Sequence, residues 1–309
     1  MEAVMNKVVA SLALFVLLAG CQPMPSKEAL TSPVPGYLCM TYFDYAYISP
    51  EQVTDIVYLS KSDNACKMVL GKMYERGHGV PQDIAKAKDL YQTVARVSPI
   101  AYSRLGVLAE EGIGGPVDLV AARDFYQRAT KDPGTTDIEL KLAGLMENGK
   151  GGPQDLQGAL KHYFNASKTG STEAWKGLER LRSKGVVMTT EEQQVYNNLF
   201  VGLVQRGLRK HMEATEKTLE KVTTPTQPGK PVQVQLEYTP GTLVPTLSIY
   251  ASSGDSVIDQ KVMQGFSDYR FPGDPIMPQG QKNYLAVAYV RTDGMTPMER
   301  FYQDRKKTQ

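Results

Sequence analysis

Gly112-Ile113-Gly114-Gly115-Pro116-Val117-Asp118, with Leu105-Gly106 ahead of it and Ala122, Tyr126 and Ala129 behind it, is the stretch that decides the fold. Upstream the same order reads Leu70-Gly71, Gly77-His78-Gly79, Pro81, Asp83, Ala87, Tyr91, Ala95; downstream it reads Leu142-Ala143, Gly149-Lys150-Gly151, Pro153, Asp155, Ala159, Tyr163, Ala166. The three aspartates lie 35 and 37 residues apart. A period of that length signals a solenoid of two-helix units. Within each unit the glycine pair ends helix A, because a left-handed C-cap costs glycine little. Pro and Asp then open helix B, the carboxylate accepting orphan N–H groups at the positive end of the helix dipole. Gly71, Gly106 and Ala143 fall inside helix A, where glycine normally costs up to ~1 kcal/mol, so the paired helices are expected to approach closely there.

This pattern resembles the Sel-one-like family, relatives of the tetratricopeptide repeats, over about 65–166, with an incomplete fourth unit around Ala174, Trp175, Leu178 and Leu181. The family's helix A aromatic is Tyr74 in the first unit and is replaced by Ala109 and Met146 in the others. The resemblance implies a curved stack, assigned to 65–186, whose concave side holds a peptide or a protein partner. The aromatic stretch Gly36 to Tyr47 precedes it, either as an N-terminal cap over the first unit or as a recognition patch.

The last third has a different period. Thr189-Thr190-Glu191-Glu192-Gln193 offers a capping box, Thr189 with Glu192 or Thr190 with Gln193, ahead of a long helix reaching about Lys221. Pro225, Pro228 and Pro231 break it, and then Val232, Val234, Leu236 and Tyr238 alternate with polar residues as a half-buried strand. A turn at Pro240-Gly241 leads to a second strand over about Leu243 to Ser252; Ser253-Gly254-Asp255 opens a helix with Ile258, Val262, Met263 and Phe266 on one face, and a final strand spans about Asn283 to Arg291. The expected fold class is therefore multidomain: an all-α helical-hairpin solenoid followed by a small α+β domain in the order helix, strand, strand, helix, strand, with an antiparallel sheet. That order, with Ser252-Ser253-Gly254-Asp255, Asp259 and Tyr269-Arg270-Phe271-Pro272, resembles the C-terminal domain of TonB and TolA type envelope proteins over 190–291. The resemblance implies an exposed edge strand, carrying Tyr284, Leu285, Val287 and Tyr289, that takes up a partner strand, unless the tail at 292–309 or the repeats cover it.

The N-terminus resembles a bacterial lipoprotein signal: Met5-Asn6-Lys7 as a basic start, an apolar run from Val8 to Leu18, and Ala19-Gly20 before Cys21. Eleven residues are about half of the ~20 a membrane span needs. The resemblance implies cleavage after residue 20, acylation of Cys21 with several fatty acyl chains such as palmitate, and anchorage at the periplasmic face of the outer membrane, since Gln22 is not the Asp that retains such proteins in the inner membrane. Residues 21–64 then form the anchor linker and aromatic cap. In that oxidising compartment Cys39 and Cys66 are expected to pair, the alternative being two buried free thiols.

With 35 Lys plus Arg against 33 Asp plus Glu, the net charge of +2 is spread along the chain and gives no nucleic-acid footprint. His78, His162 and His211 stand at no metal-ligand spacing, so no metal and no cofactor is expected. Gly144 to Gly151 mimics a P-loop until Gly151 replaces the Ser or Thr that would hold magnesium. The paired acids Glu110-Glu111 and Glu191-Glu192 read as solvated helix faces. No catalytic residue is assigned. The expected function is a non-catalytic scaffold or adaptor joining protein partners of an envelope or secretion assembly, held to the membrane by its lipid. The alternatives are a cell-wall or penicillin-interacting hydrolase and a receptor for muropeptides.

Overall fold

The computed structural model describes residues 24–131, 134–219, 230–277, 280–295 and 298–299. The signal-like run with Cys21, most of the proline-rich break and the tail from residue 300 lie outside the described residues. The chain divides into two compact units, Met1–Ser171 and Thr172–Gln309.

In the first unit, helices α1 (Lys27–Thr31), α2 (Pro35–Phe43) and α3 (Pro50–Leu59) precede three hairpins: α4 (Asn64–Arg76) with α5 (Ile84–Ala95), α6 (Ala101–Glu111) with α7 (Leu119–Ala129), and α8 (Thr136–Glu147) with α9 (Leu156–Ser167). The caps stand where the repeat puts them except at the end of α8, whose C-cap is Asn148 with the left-handed Gly149 one residue beyond. The carboxylates of Asp83, Asp118 and Asp155 accept from the N–H groups of Lys86, Ala121 and Gly158 at 3.0, 2.9 and 2.7 Å. Gly77 and Gly112 close α4 and α6 in the left-handed region, at φ 69° and 68°. The close approach has a specific cause: a Cβ on Gly71 would sit 2.5 Å from the Tyr91 ring, and one on Gly106 2.4 Å from the Tyr126 ring. Ahead of the repeats, Leu38, Cys39 and Tyr42 of α2 join Val69, Leu70 and Met73 of α4 in one buried cluster. Cys39 and Cys66 are bonded there, with Cα atoms 5.3 Å apart.

The second unit contains α10 (Thr172–Ser183), α11 (Thr190–Leu219), β1 (Val232–Thr239), β2 (Thr242–Ala251), α12 (Ser256–Gly265) and β3 (Tyr284–Val290). Thr189 and Glu192 form the capping box of α11, Glu192 N–H donating to Thr189 Oγ1 at 3.2 Å and Thr189 N–H to Glu192 Oε2 at 2.8 Å. The sheet is antiparallel with order β2-β1-β3, so β1 is central and both other strands are edges. Val232, Val234, Leu236 and Tyr238 of β1 are buried, together with Ala286, Ala288 and Val290 of β3, Phe200 and Val204 of α11, Val262 of α12, and Phe266 and Phe271. Helix α10, which carries Ala174, Trp175, Leu178 and Leu181, groups with this unit and not with the repeats. The Trp175 ring lies 4.6 Å from that of Tyr196, and its Nε1–H donates to Pro272 O at 2.9 Å, satisfying the indole within the second unit. The fold class is thus a helical-repeat region followed by a small three-stranded antiparallel sheet with helices. Among the described residues no helix is long and apolar enough to cross a membrane.

Candidate functional site

A strand edge becomes a binding site when its backbone groups face outward and nothing blunts it. The two edges of the sheet differ in this respect. β2 contains Pro245, which has no N–H, and its pairing with β1 shifts register between Gln233 and Val234 and again between Glu237 and Thr239. Two of its backbone groups already have partners: Leu243 O accepts from Phe271 N–H at 2.9 Å, and Val244 N–H donates to Thr242 Oγ1 at 3.2 Å. β3 has no proline, no charged residue and an unbroken register from Val232 opposite Val290 to Tyr238 opposite Tyr284.

The sense of the β3 edge follows from one hydrogen bond. Arg291 N–H, one residue past the strand, donates to Glu216 Oε1 on α11 at 3.0 Å and so points away from β1. Backbone N–H groups alternate sides along a strand, which turns those of Leu285, Val287 and Tyr289 outward and those of Ala286, Ala288 and Val290 toward β1. The side chains of Leu285, Val287 and Tyr289 are exposed, the first at 53 % and the last at 58 %. They stand level with Glu237, Gln235 and Gln233 of β1. Tyr284 shares the strand but its ring turns inward, 5.2 Å from Phe200 and 6.1 Å from Phe271, and burial raises its hydroxyl pKa. Beside the edge runs a groove of about 500 Å³ lined by Leu208, Met212, Pro231, Val287 and Tyr289, with Gln205 and Arg291 at its polar margin.

The repeats carry a second recurring arrangement that sequence reading missed. Glu75 accepts from Tyr91 Oη at 2.6 Å and pairs with Arg104 of the next repeat. Glu110 accepts from Tyr126 Oη at 2.6 Å and pairs with Lys141 of the next, while Glu147 accepts from Tyr163 Oη at 2.7 Å. Glu110 is therefore no solvated acid. Burial pushes its carboxyl pKa up, but the hydrogen bonds from Lys141 and Tyr126 outweigh that and hold it below the usual carboxylate range. Burial, and then the bond to the carboxylate, pushes the Tyr91 and Tyr126 hydroxyls well above the usual phenol value. The signal was available: each glutamate stands two residues before the first glycine of its pair and 16 before its tyrosine.

The remaining sequence candidates fall apart in space. His78 packs edge-on against Phe43, His162 bonds Glu139, and His211 Nδ1 lies 3.0 Å from Gly207 O. Among the described residues no group of three or more His, Cys, Asp or Glu could hold a metal ion. Gly149 and Gly151 of the P-loop-like stretch sit in the α8–α9 turn, where a Cβ on Gly151 would lie 2.0 Å from Leu119 O, so the loop is packed against backbone.

Comparison with known proteins agrees with the repeat reading. The Sel1 repeat model matches residues 66–96, 99–132 and 139–171, and repeats of this kind generally mediate contacts between proteins. The chain thus carries three Sel1 repeats. Among solved structures it is similar to a protective antigen of uropathogenic Escherichia coli displaying an SLR fold, at 18% identity and TM-score 0.45 over 56% of this chain and 37% of that one. It is also similar to a Sel1 repeat protein from Oxalobacter formigenes, at 25% identity and TM-score 0.38 over 41% of this chain and 97% of that one. The chain therefore spans well under half of the first of these. No curated protein matches it.

Proposed function

We propose that this protein is a lipid-anchored adaptor of the bacterial envelope, acylated at Cys21 and held at the periplasmic face of the outer membrane. Its repeats hold one protein partner and its C-terminal sheet takes up a strand from another along β3. The second unit acts as a TonB/TolA-like strand acceptor, a reading supported by its element order and by Asp259, which receives Ser252 Oγ and Ser253 Oγ at 2.5 and 2.7 Å and so ties the end of β2 to α12. No step of chemistry is assigned to it.

The contrast between the two edges carries the proposal. Proline and register breaks are the devices by which sheets refuse a further strand, and β2 has both while β3 has neither. Affinity then comes mainly from main-chain hydrogen bonds, with the groove beside β3 selecting apolar side chains. The test follows from the direction of the N–H groups. Leu285→Pro removes an outward donor and should abolish capture of a partner first identified by crosslinking in intact cells, with the circular dichroism of the folded chain retained. Ala286→Pro removes a donor that faces β1, breaks a ladder hydrogen bond and leaves its buried acceptor unsatisfied, and should cost roughly 1–3 kcal/mol of stability. If Leu285→Pro binds normally while alanines on the concave face of 65–166 abolish capture, the repeats are the recognition surface and the assignment to β3 is wrong. Absence of lipid on Cys21 by mass spectrometry would remove the anchor from the proposal.

A further inference from the structure

Helix α2, Pro35–Phe43, contains no charged residue. One side of it is accounted for, since Gly36, Leu38, Cys39 and Tyr42 are buried. A helix apolar all round is normally enclosed on all sides. Yet Val34, Tyr37 and Met40, spaced three apart along the opposite face, are open to solvent, Tyr37 at 68 % exposure, and Met24 and Leu30 just ahead of them are exposed as well.

The position of this face relative to Cys21 is constrained. Ser26 is pinned to the body of the unit: its N–H and Oγ donate to the two carboxylate oxygens of Asp55 at 2.7 and 2.6 Å. Tyr42 of α2 donates to Glu28 of α1 at 2.9 Å, which fixes the two helices to each other. Five residue steps separate Cys21 from Ser26, at most about 17 Å of extended chain. Acyl chains on Cys21 would therefore keep α1 and α2 within one short tether of the bilayer, with no long linker to carry them away. The chemistry of the face suits that position. A tyrosine ring is at home at headgroup level, with an apolar body and a polar tip, and Met and Val bury readily beside it. Lys27 and Glu28 offset each other on α1, so the contact is apolar and does not depend on anionic lipid.

We infer that the Val34–Tyr37–Met40 face of α2 seats on the membrane surface, so that the N-terminal unit is fixed to the bilayer by a protein face as well as by its lipid. This rests on the acylation of Cys21 proposed above. The test uses the acylated full-length chain with Tyr37→Trp, reconstituted into phosphatidylethanolamine and phosphatidylglycerol vesicles with brominated acyl chains. The unsubstituted protein, whose one tryptophan, Trp175, is buried, serves as reference. The introduced indole should shift to shorter wavelength and lose more than half of its emission, equally at low and high salt. Vesicle flotation is read on the same samples. Protein that floats with an unquenched indole overturns the seating and leaves the anchor standing. Protein that does not float, with no lipid on Cys21, overturns both. An indole that is unquenched on vesicles and shielded only when a second protein is added assigns the face to that protein and overturns the inference.

Discussion

Set side by side, the repeats and the C-terminal sheet treat their polar groups in opposite ways. In the repeats, Glu75 and Glu110 are each closed by a tyrosine from their own hairpin and a cation from the next. The backbone ends of the second helices are closed by Asp83, Asp118 and Asp155. In the sheet, the N–H groups of Leu285, Val287 and Tyr289 face outward along an edge that, among the described residues, ends at Arg291, where Glu216 takes the next donor. Internal closure makes a stack rigid and specific in its order. An unblunted edge is what a partner can complete. The difference separates residues whose polar groups are satisfied within the fold from residues whose backbone groups face outward.

The largest expected effect tests the closed side of this comparison. Glu75→Ala leaves Arg104 beside the buried Tyr91 hydroxyl without its carboxylate, and Arg104 Nε is already buried with no hydrogen-bond partner among the described residues. The loss should be about 3 kcal/mol in urea unfolding, as for a largely buried pair stripped of one member; a loss below about 1 kcal/mol would mean the relay is ornamental. Next comes Gly106→Ala. In an ordinary helix this change stabilises by up to ~1 kcal/mol. Here the new methyl meets the fully buried Tyr126 ring, and overpacking should cost about 2 kcal/mol instead. Val287→Ser on the open edge is the matching control, expected within about 0.5 kcal/mol.

The smallest effect is one of pH. Because the Glu110 carboxyl is held below its ordinary range, its contribution is present above the unfolded carboxylate pKa of about 4.3 and is lost as pH falls through the lower folded value. Melting temperatures measured from pH 6 to pH 3 should fall more steeply for the unsubstituted chain than for Glu110→Gln. The partly exposed position limits the difference to about 1 kcal/mol or less.

The repeats were legible because their demands on the backbone leave fixed residue types at fixed spacing. A left-handed cap selects Gly77 and Gly112, and an open helix end selects Asp83, Asp118 and Asp155. The strands were legible because β1 alternates buried and half-buried residues along nearly its whole length. The glutamate relays were only half legible: the recurring offsets mark Glu75, Glu110 and Glu147, but an acid at a helix end reads as solvated until the hairpin brings the tyrosine hydroxyl of its second helix onto the carboxylate. Trp175 was misleading for another reason. Its helix has the composition of a further repeat, and only the distant Tyr196 and Pro272 decide where its ring is buried. Of the edge set, alternation alone separates Tyr284 from Leu285, Val287 and Tyr289; Pro245 was there to read, but that its strand is the other edge, with a shifted register, and that Arg291 turns its N–H to Glu216 are seen only in the folded sheet.

The glutamates that bridge consecutive hairpins also bear on how the stack comes apart. Each joins both helices of its own unit to the first helix of the following one, so opening one unit strands a charge in its neighbour. In a one-dimensional array this raises the nearest-neighbour energy relative to the intrinsic energy of a unit. Such an array melts as one cooperative block instead of fraying repeat by repeat. A pull or a protease acting at one end is then resisted by the whole row.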